Sequence, residues 1–169
     1  MKMLSKDKKV FFIGQSVNYS GNSIYNSLKD IDSKKKLELP VFEETQMGLS
    51  LGLSLQGFIP ISIYPRIDFL LSATNQLVNH LDKMRVMSKG EFNPKVIIRT
   101  SVASKKPLDG GPQHTQDHTE AMKKLLTTVK VHKLKRSSEI FNLYRKIISK
   151  KDKDSHLVIE DASYYNLIN

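Results

Sequence analysis

The sequence has no cysteine, which excludes a disulfide framework, a cysteine-ligated zinc or iron–sulfur site and thiol catalysis. Any chemistry must therefore come from carboxylates, histidines, hydroxyls or a cofactor, and the absence fits a reducing compartment. Also missing is a run of about 18 apolar residues, the length a membrane-spanning helix needs. Residues 1–9 are polar and no signal-type apolar stretch ending in small residues follows them. These absences predict a soluble, cytoplasmic protein without a membrane partner. Several motifs are absent too. No Gly-Lys-Ser/Thr follows Gly110-Gly111, no GxGxxG follows a strand, and there is no Gly-x-Ser-x-Gly elbow. A P-loop, a dinucleotide fingerprint and a serine hydrolase are thereby disfavoured.

What is present suits one globular unit. The 169 residues lie near the roughly 150-residue prior for a domain, and 39% hydrophobic with 26% charged residues is an ordinary folded composition. The 27 Lys+Arg against 17 Asp+Glu give a net charge of +10, which raises nucleic acid, an anionic membrane or an acidic protein as candidate partners. The lysines fall in short bursts such as Lys34-Lys35-Lys36 and Lys150-Lys151, as solvated loop edges and helix faces do. Nucleic acid is accordingly not the expected partner.

Six segments read as strands: residues 10–13 (VFFI), 37–42, 58–64 (FIPISIY), 95–99 (KVIIR), 128–134 (TVKVHKL) and 156–160 (HLVIE). Helical spacing appears between them. Ile24, Leu28 and Ile31 form one stripe; Leu70, Ala73, Leu77, Leu81 and Met84 form a second, with Asp68 as N-cap; Ile140, Phe141, Tyr144, Ile147 and Ile148 form a third, capped by Ser137 or Ser138. Alternation of strand and helix predicts a three-layer α/β/α fold with a mostly parallel sheet of about six strands. Residues 47–55 (MGLSLGLSL) alternate with period 2, yet the second and third strands need a crossover. A helix over residues 44–56 is therefore expected, with Gly48 and Gly52 allowing close approach to another backbone.

Ligands of such sheets bind beyond the carboxyl ends of the strands, which directs attention to the residues after Gly14, Phe42, Tyr64 and Arg99. Glu43 stands at one of these places. It is either a ligand-facing carboxylate or a helix-start acid favoured by the macrodipole, a role Glu44 could equally fill. His114 and His118 have i, i+4 spacing, but a metal clamp would need an ordered helix and a third donor. Residues 100–118 form a Gly/Pro/Lys-rich segment too long for an idle connection. His80, His132 and His156 fall within predicted elements and read as surface or packed histidines.

Three segments in this order, residues 38–60 (ELPVFEETQMGLSLGLSLQGFIP), 64–76 (YPRIDFLLSATNQ) and 111–120 (GPQHTQDHTE), resemble the pyrimidine-binding domain of thiamine-diphosphate enzymes. The nearest likeness is to the beta subunit of the decarboxylating component of 2-oxoacid dehydrogenase complexes, with transketolase more distant. The resemblance runs from about Lys9 to Tyr165. It implies that Glu43, in its Pro-x-x-Glu setting, is catalytic. In the family this side chain hydrogen-bonds a ring nitrogen of the cofactor's aminopyrimidine and favours the imino tautomer that removes the thiazolium proton. Such a role asks for a desolvated carboxyl that keeps or shares a proton, and Val41 and Phe42 are the expected apolar walls. The resemblance further makes Phe69 the aromatic that packs on the pyrimidine, places Pro65 and Ser72 at neighbouring cofactor-lining positions, and makes His114 of Gln113-His114-Thr115-Gln116 the candidate proton donor to substrate oxygens, with His118 secondary.

The sequence also departs from the family. Gln15-Ser16 stands where an acidic pair is common, and Asn75 where the family has Asp. The Gly-Asp-Gly motif with a downstream Asn that holds magnesium and diphosphate is not present, and Asp109-Gly110-Gly111 is no substitute. Residues 1–169 are therefore expected to be a single pyrimidine-binding domain, with no diphosphate-binding domain and no C-terminal transketolase-type domain. The implied function is half of a split thiamine-diphosphate enzyme. A separate diphosphate-binding subunit would supply Mg2+, homodimer contacts or a heterotetramer would complete the assembly, and the substrate would be a 2-oxo acid or a ketose. A split transketolase-type ketol transferase and a non-catalytic basic α/β binding module are the alternatives.

Overall fold

A computed structural model of the chain describes residues 1–20, 23–106 and 109–166. Six parallel strands form one sheet: β1 (Val10–Gly14), β2 (Lys36–Glu38), β3 (Ile59–Ile63), β4 (Ile97–Val102), β5 (Lys130–Lys133) and β6 (His156–Asp161), in the order β2-β1-β3-β4-β6-β5. The helices are α1 (Lys2–Ser5), α2 (Ser23–Asn26), α3 (Glu43–Leu55), α4 (Ile67–Leu70), α5 (Met84–Met87), α6 (Thr119–Leu125) and α7 (Ser137–Ile147).

Alternation along the strands sends side chains to opposite faces, and two separate cores result. Ile98, Leu157 and Ile159 pack with Met47, Leu51, Leu70, Leu77 and Met122 under α3, α4 and α6. Val10, Phe12, Ile61, Ile97 and Val158 pack with Leu4, Ile24, Tyr144 and Ile147 under α1, α2 and α7. The expected three-layer α/β/α architecture is thus the observed one. Each fully buried aliphatic side chain contributes ~1.5–3 kcal/mol relative to exposure, so the two faces together hold the sheet.

Several element boundaries differ from expectation, each for a local reason. β2 ends at Glu38; the Leu39 amide still donates to Gly14 O at 2.8 Å, and the chain then turns away as the Phe42 amide bonds Pro40 O. The strand-like alternation of residues 47–55 is overridden and α3 is a helix. Its buried serine explains the pattern: Ser50 Oγ donates to Gln46 O at 2.8 Å and lies 3.0 Å from Ser62 Oγ of β3. The stripe of Leu70 to Met84 is broken into α4, a 3-10 turn (Leu71–Ala73), a π-helical stretch (Gln76–Leu81) and α5. Neither predicted serine caps α7. Arg136 stands at its N-cap position, and Glu139 Oε2 instead accepts from the Lys135 amide at 3.0 Å. The helix expected around Leu28 is one turn long and gives way to turns.

Candidate functional site

The chain begins in the sheet interior at β1, moves outward to β2 and returns on the other side of β1 as β3. The strand order reverses between β1 and β3, the place where an open parallel sheet leaves a crevice beyond its carboxyl ends. Glu43 opens α3 at that crevice. Its Oε1 accepts from Gln15 Nε2 at 3.0 Å, just past β1, and its backbone carbonyl accepts from the Tyr64 hydroxyl at 3.1 Å, just past β3. Burial holds the Tyr64 hydroxyl well above the ordinary tyrosine range, and the nearby Glu43 carboxylate pushes the same way, so Tyr64 stays a neutral donor. One hydrogen bond thus occupies one Glu43 oxygen, and Oε2 accepts none among the described residues.

The frame around this carboxylate is stiff. Gly14 has φ +143°, and a Cβ there would lie 2.2 Å from Ile63 O and 2.8 Å from Gln46 Nε2; only glycine lets β1, β3 and α3 meet so closely. Gln46, fully buried, donates to Ser62 Oγ at 3.1 Å and Ile63 O at 2.9 Å while its Oε1 has no partner. Glu38, at the end of β2, accepts from the amides of Ser16, Val17 and Asn18 at 2.6–2.8 Å, which fixes the loop carrying Gln15. By contrast the predicted close approach of α3 through its glycines does not occur within the chain. Gly48 faces the Gln76 side chain and Gly52 meets nothing within 4 Å.

The other expected residues lie on neighbouring elements. Phe69, in α4 after β3, is half-buried and meets the His114 ring edge-on at 5.6 Å, with the Arg66 guanidinium 5.7 Å from the Phe69 ring centre. Pro65 is half-buried and its carbonyl accepts from Ser101 Oγ at 2.8 Å, whereas Ser72 is exposed. α3 packs against the turn that carries Ser72, and Asn75 donates to Glu44 Oε1 at 3.0 Å. Pro107 and Leu108, within the predicted functional loop, lie outside the described residues.

One expectation is overturned. Val41 and Phe42 do not wall the carboxyl: they are 72% and 61% exposed, because the Phe42 amide turns back onto Pro40 O at 2.8 Å and lifts both side chains off the sheet. Glu43 itself is half-buried.

Sequence reasoning missed Gln15, Tyr64 and the group around Asp68. Asp68 does not cap its helix; its Oδ1 accepts from the Gln116 amide and side chain, each at 3.3 Å, and lies 3.7 Å from His118 Nε2. Three buried polar atoms here have no hydrogen bond: Asp68 Oδ2, His118 Nε2 and His114 Nδ1. Buried polar groups without partners are costly unless water, a ligand or another chain meets them. The rule that ligands sit past strand ends pointed to the residues after Gly14, which is where Gln15 is. The pairing of Asp68 with residue 116 is non-local and left no pattern. His114 and His118 gather no third metal donor: among the described residues no group of three or more His, Cys, Asp or Glu is placed to hold a metal ion.

Comparison with known proteins agrees with this layout. A family model described as the transketolase pyrimidine-binding domain matches residues 1–166. Relatives include the pyruvate dehydrogenase E1 component subunit beta of Cyanidium caldarium, 29% identical over 172 residues that cover 97% of this chain and 50% of that protein. The protein of the same name from Gracilaria tenuistipitata var. liui is 32% identical over 117 residues, 67% of this chain and 35% of the relative. A 2-oxoisovalerate dehydrogenase subunit beta of Bacillus subtilis is 21% identical over 169 residues, 98% and 50% of the two chains. Among solved structures, a split gene transketolase in an inactive beta4 tetramer shares the fold, with TM-score 0.71 at 15% identity, covering 95% of this chain and 48% of that one. The chain spans half or less of the length of these relatives. With the family match over nearly its whole length, the chain belongs to the transketolase pyrimidine-binding domain family.

Proposed function

We propose that the chain is the pyrimidine-binding subunit of a split thiamine-diphosphate-dependent enzyme that acts on a 2-oxo acid and works only with a separate diphosphate-binding subunit. The observation that carries this reading is Glu43: a carboxylate at the strand-order reversal, fixed on one oxygen by Gln15 and open on the other. The residues at hand fit the cofactor's pyrimidine. Oε2 of Glu43 is available to a ring nitrogen, Phe69 offers a half-buried aromatic face, and His114 beside it has a buried nitrogen without a partner. Thiamine diphosphate, if bound here, would supply the nucleophilic carbon and the electron sink that decarboxylation of a 2-oxo acid requires.

This chain's residues do the rest. Glu43 holds a proton at the pyrimidine edge and exchanges it there, and Gln15 and Tyr64 keep its carboxyl and backbone in place. Phe69 would give the pyrimidine an aromatic face to pack on. His114 delivers a proton to a substrate oxygen. The diphosphate and its Mg2+ fall to the partner subunit.

A partner is needed for a physical reason. A carboxyl that must share a proton at neutral pH needs dry surroundings, and the chain alone leaves Glu43 half-buried, with Val41 and Phe42 bare at its side. A covering subunit would bury all three, in a heterotetramer or around a homodimer of this chain. The names of the relatives favour a 2-oxo acid over a ketose.

The test is calorimetric titration of thiamine diphosphate with Mg2+ into this chain, into the candidate partner and into the mixture. Tight binding by the mixture alone is expected. Tight binding by the isolated chain, or none by the mixture, would contradict a shared site.

A further inference from the structure

The opposite end of the sheet carries a second polar cluster, at the amino-terminal ends of β5 and β6. His132 Nε2 lies 3.0 Å from His156 Nδ1, with the rings stacked at 5.2 Å, and His156 Nε2 lies 2.9 Å from Asp152 Oδ1. Burial opposes the charge of Asp152, but the hydrogen bond from His156 and the Asp154 amide outweigh it and hold the carboxyl below its ordinary range. An ionised Asp152 only accepts, so His156 donates to it from Nε2, and with one proton on each ring His156 Nδ1 accepts from His132 Nε2. His132 Nδ1 is thereby left with a lone pair, and the hydrogen bond of this ring among the described residues is made by Nε2. Burial first, then His156 and Lys146, lower the proton affinity of His132 against the pull of Asp152. The ring is neutral at pH 7.

His132, His156 and Asp152 all line an open groove of about 590 Å³, together with Lys123, Lys130, Lys146 and Asp154. Lys130 and His132 are two apart in β5 and point to the same face of the sheet, and Lys146 of α7 lines the same groove. Lys123 is paired with Glu120 at 2.7 Å. Lys130 and Lys146 form no ion pair among the described residues.

Two free ammonium groups ask for negative charge, while a neutral imidazole lone pair asks for an O–H donor. A phosphate group meets both demands near neutral pH because its second pKa is about 6, whereas sulfates and carboxylates have already lost their proton. We propose that this groove is a phosphoryl-binding site, with Lys130 and Lys146 taking the charge and His132 Nδ1 sharing one proton with a phosphate oxygen. The charged and titratable groups facing His132 are Lys146 from α7, His156 from β6, Asp152 from the loop before β6 and Lys130 from its own strand, with Lys123 of α6 and Asp154 at the rim. Only Asp152 and Asp154 oppose an anion. The bound state needs the shared proton, so affinity weakens as pH rises past neutrality.

The experiment is calorimetric titration of inorganic phosphate, and of sulfate in parallel, across neutral pH. Wild type is expected to bind phosphate more weakly as pH rises, and sulfate about tenfold less well. Lys146→Ala, on an exposed position, should lose about tenfold in phosphate affinity with an unchanged melting temperature. His132→Gln should keep residual binding but lose both the pH dependence and the preference over sulfate. Absence of heat with wild type at millimolar phosphate, or wild-type affinity in Lys146→Ala, would overturn the proposal. The site is at the far end from Glu43, so Glu43→Gln should bind phosphate as wild type does.

Discussion

Asp82 shows how much one side chain can fix in this fold. Fully buried in the segment before α5, it accepts from the amides of Thr127, Thr128 and Val129 at 2.7–3.0 Å and from the Thr127 hydroxyl at 2.8 Å. Burial would raise its proton affinity, but these bonds and the Lys83 ammonium prevail and hold the carboxyl far below its ordinary value. A folded-state pKa lowered in this way means that the unfolded chain binds the proton more readily. The stability Asp82 adds is therefore present above the ordinary carboxylate value of about 4 and is lost as pH falls below it. Asp82→Asn should cost ~1–3 kcal/mol at neutral pH in urea unfolding, and the gap to wild type should narrow on acidification. An unchanged gap would exclude the charge as its source. Glu43 is the opposite kind of carboxylate, with one oxygen held and one free. The sequence pointed to it through its place after a strand, but it could not reveal the Gln15 amide that orients it, because that contact spans 28 residues.

At the scale of elements, the junction of β1, β3 and α3 decides whether Glu43 stands where it does. Gly14→Ala forces a Cβ into Ile63 O at a positive φ, so it should lower stability by ~1–3 kcal/mol and disturb the crevice with it. Gly52→Ala tests the other glycine in the reverse direction. It sits inside α3 with nothing within 4 Å, so alanine should stabilise the isolated chain by ~0.5–1 kcal/mol in thermal unfolding. If that face meets a partner, the same change should weaken the complex, as gel filtration of the mixture would show. These elements were largely legible. All six strands could be seen in runs such as residues 10–13 and 156–160, and the need for a crossover corrected the misleading period of residues 47–55. What sequence could not supply was the interruption of the Leu70 to Met84 stripe, since a regular spacing of apolar residues is satisfied equally by a straight helix and by one relaxed into 3-10 and π turns. The exposure of Val41 and Phe42 was also hidden, because an apolar side chain awaiting a partner looks the same in sequence as one in a core.

The whole molecule is tied across its sheet by one buried ionic network. Arg99 of β4 pairs with Glu160 of β6 through two bonds of 2.7 and 2.8 Å and donates to Ser27 Oγ at 2.7 Å, while Tyr144 of α7 and Tyr165 donate to the same carboxylate. Burial disfavours the guanidinium charge, yet Glu160 more than offsets it. Removing one partner strands the other in a dry core, so Arg99→Met should cost ~3–5 kcal/mol in denaturant unfolding. The double change Arg99→Met with Glu160→Leu should cost less than the sum of the single ones. The network lies on the face away from α3 and joins β4 to β6. Strong internal ties thus surround a crevice whose rim is bare and whose central carboxylate is only half covered, the form expected of one half of a shared site. The most direct measurement is thiamine-diphosphate-dependent turnover of a 2-oxo acid by this chain mixed with the proposed diphosphate-binding partner, for wild type and Glu43→Gln. Loss of activity by about 10²-fold or more in the variant, with the complex still formed, is predicted; equal rates in the two would contradict the role of Glu43.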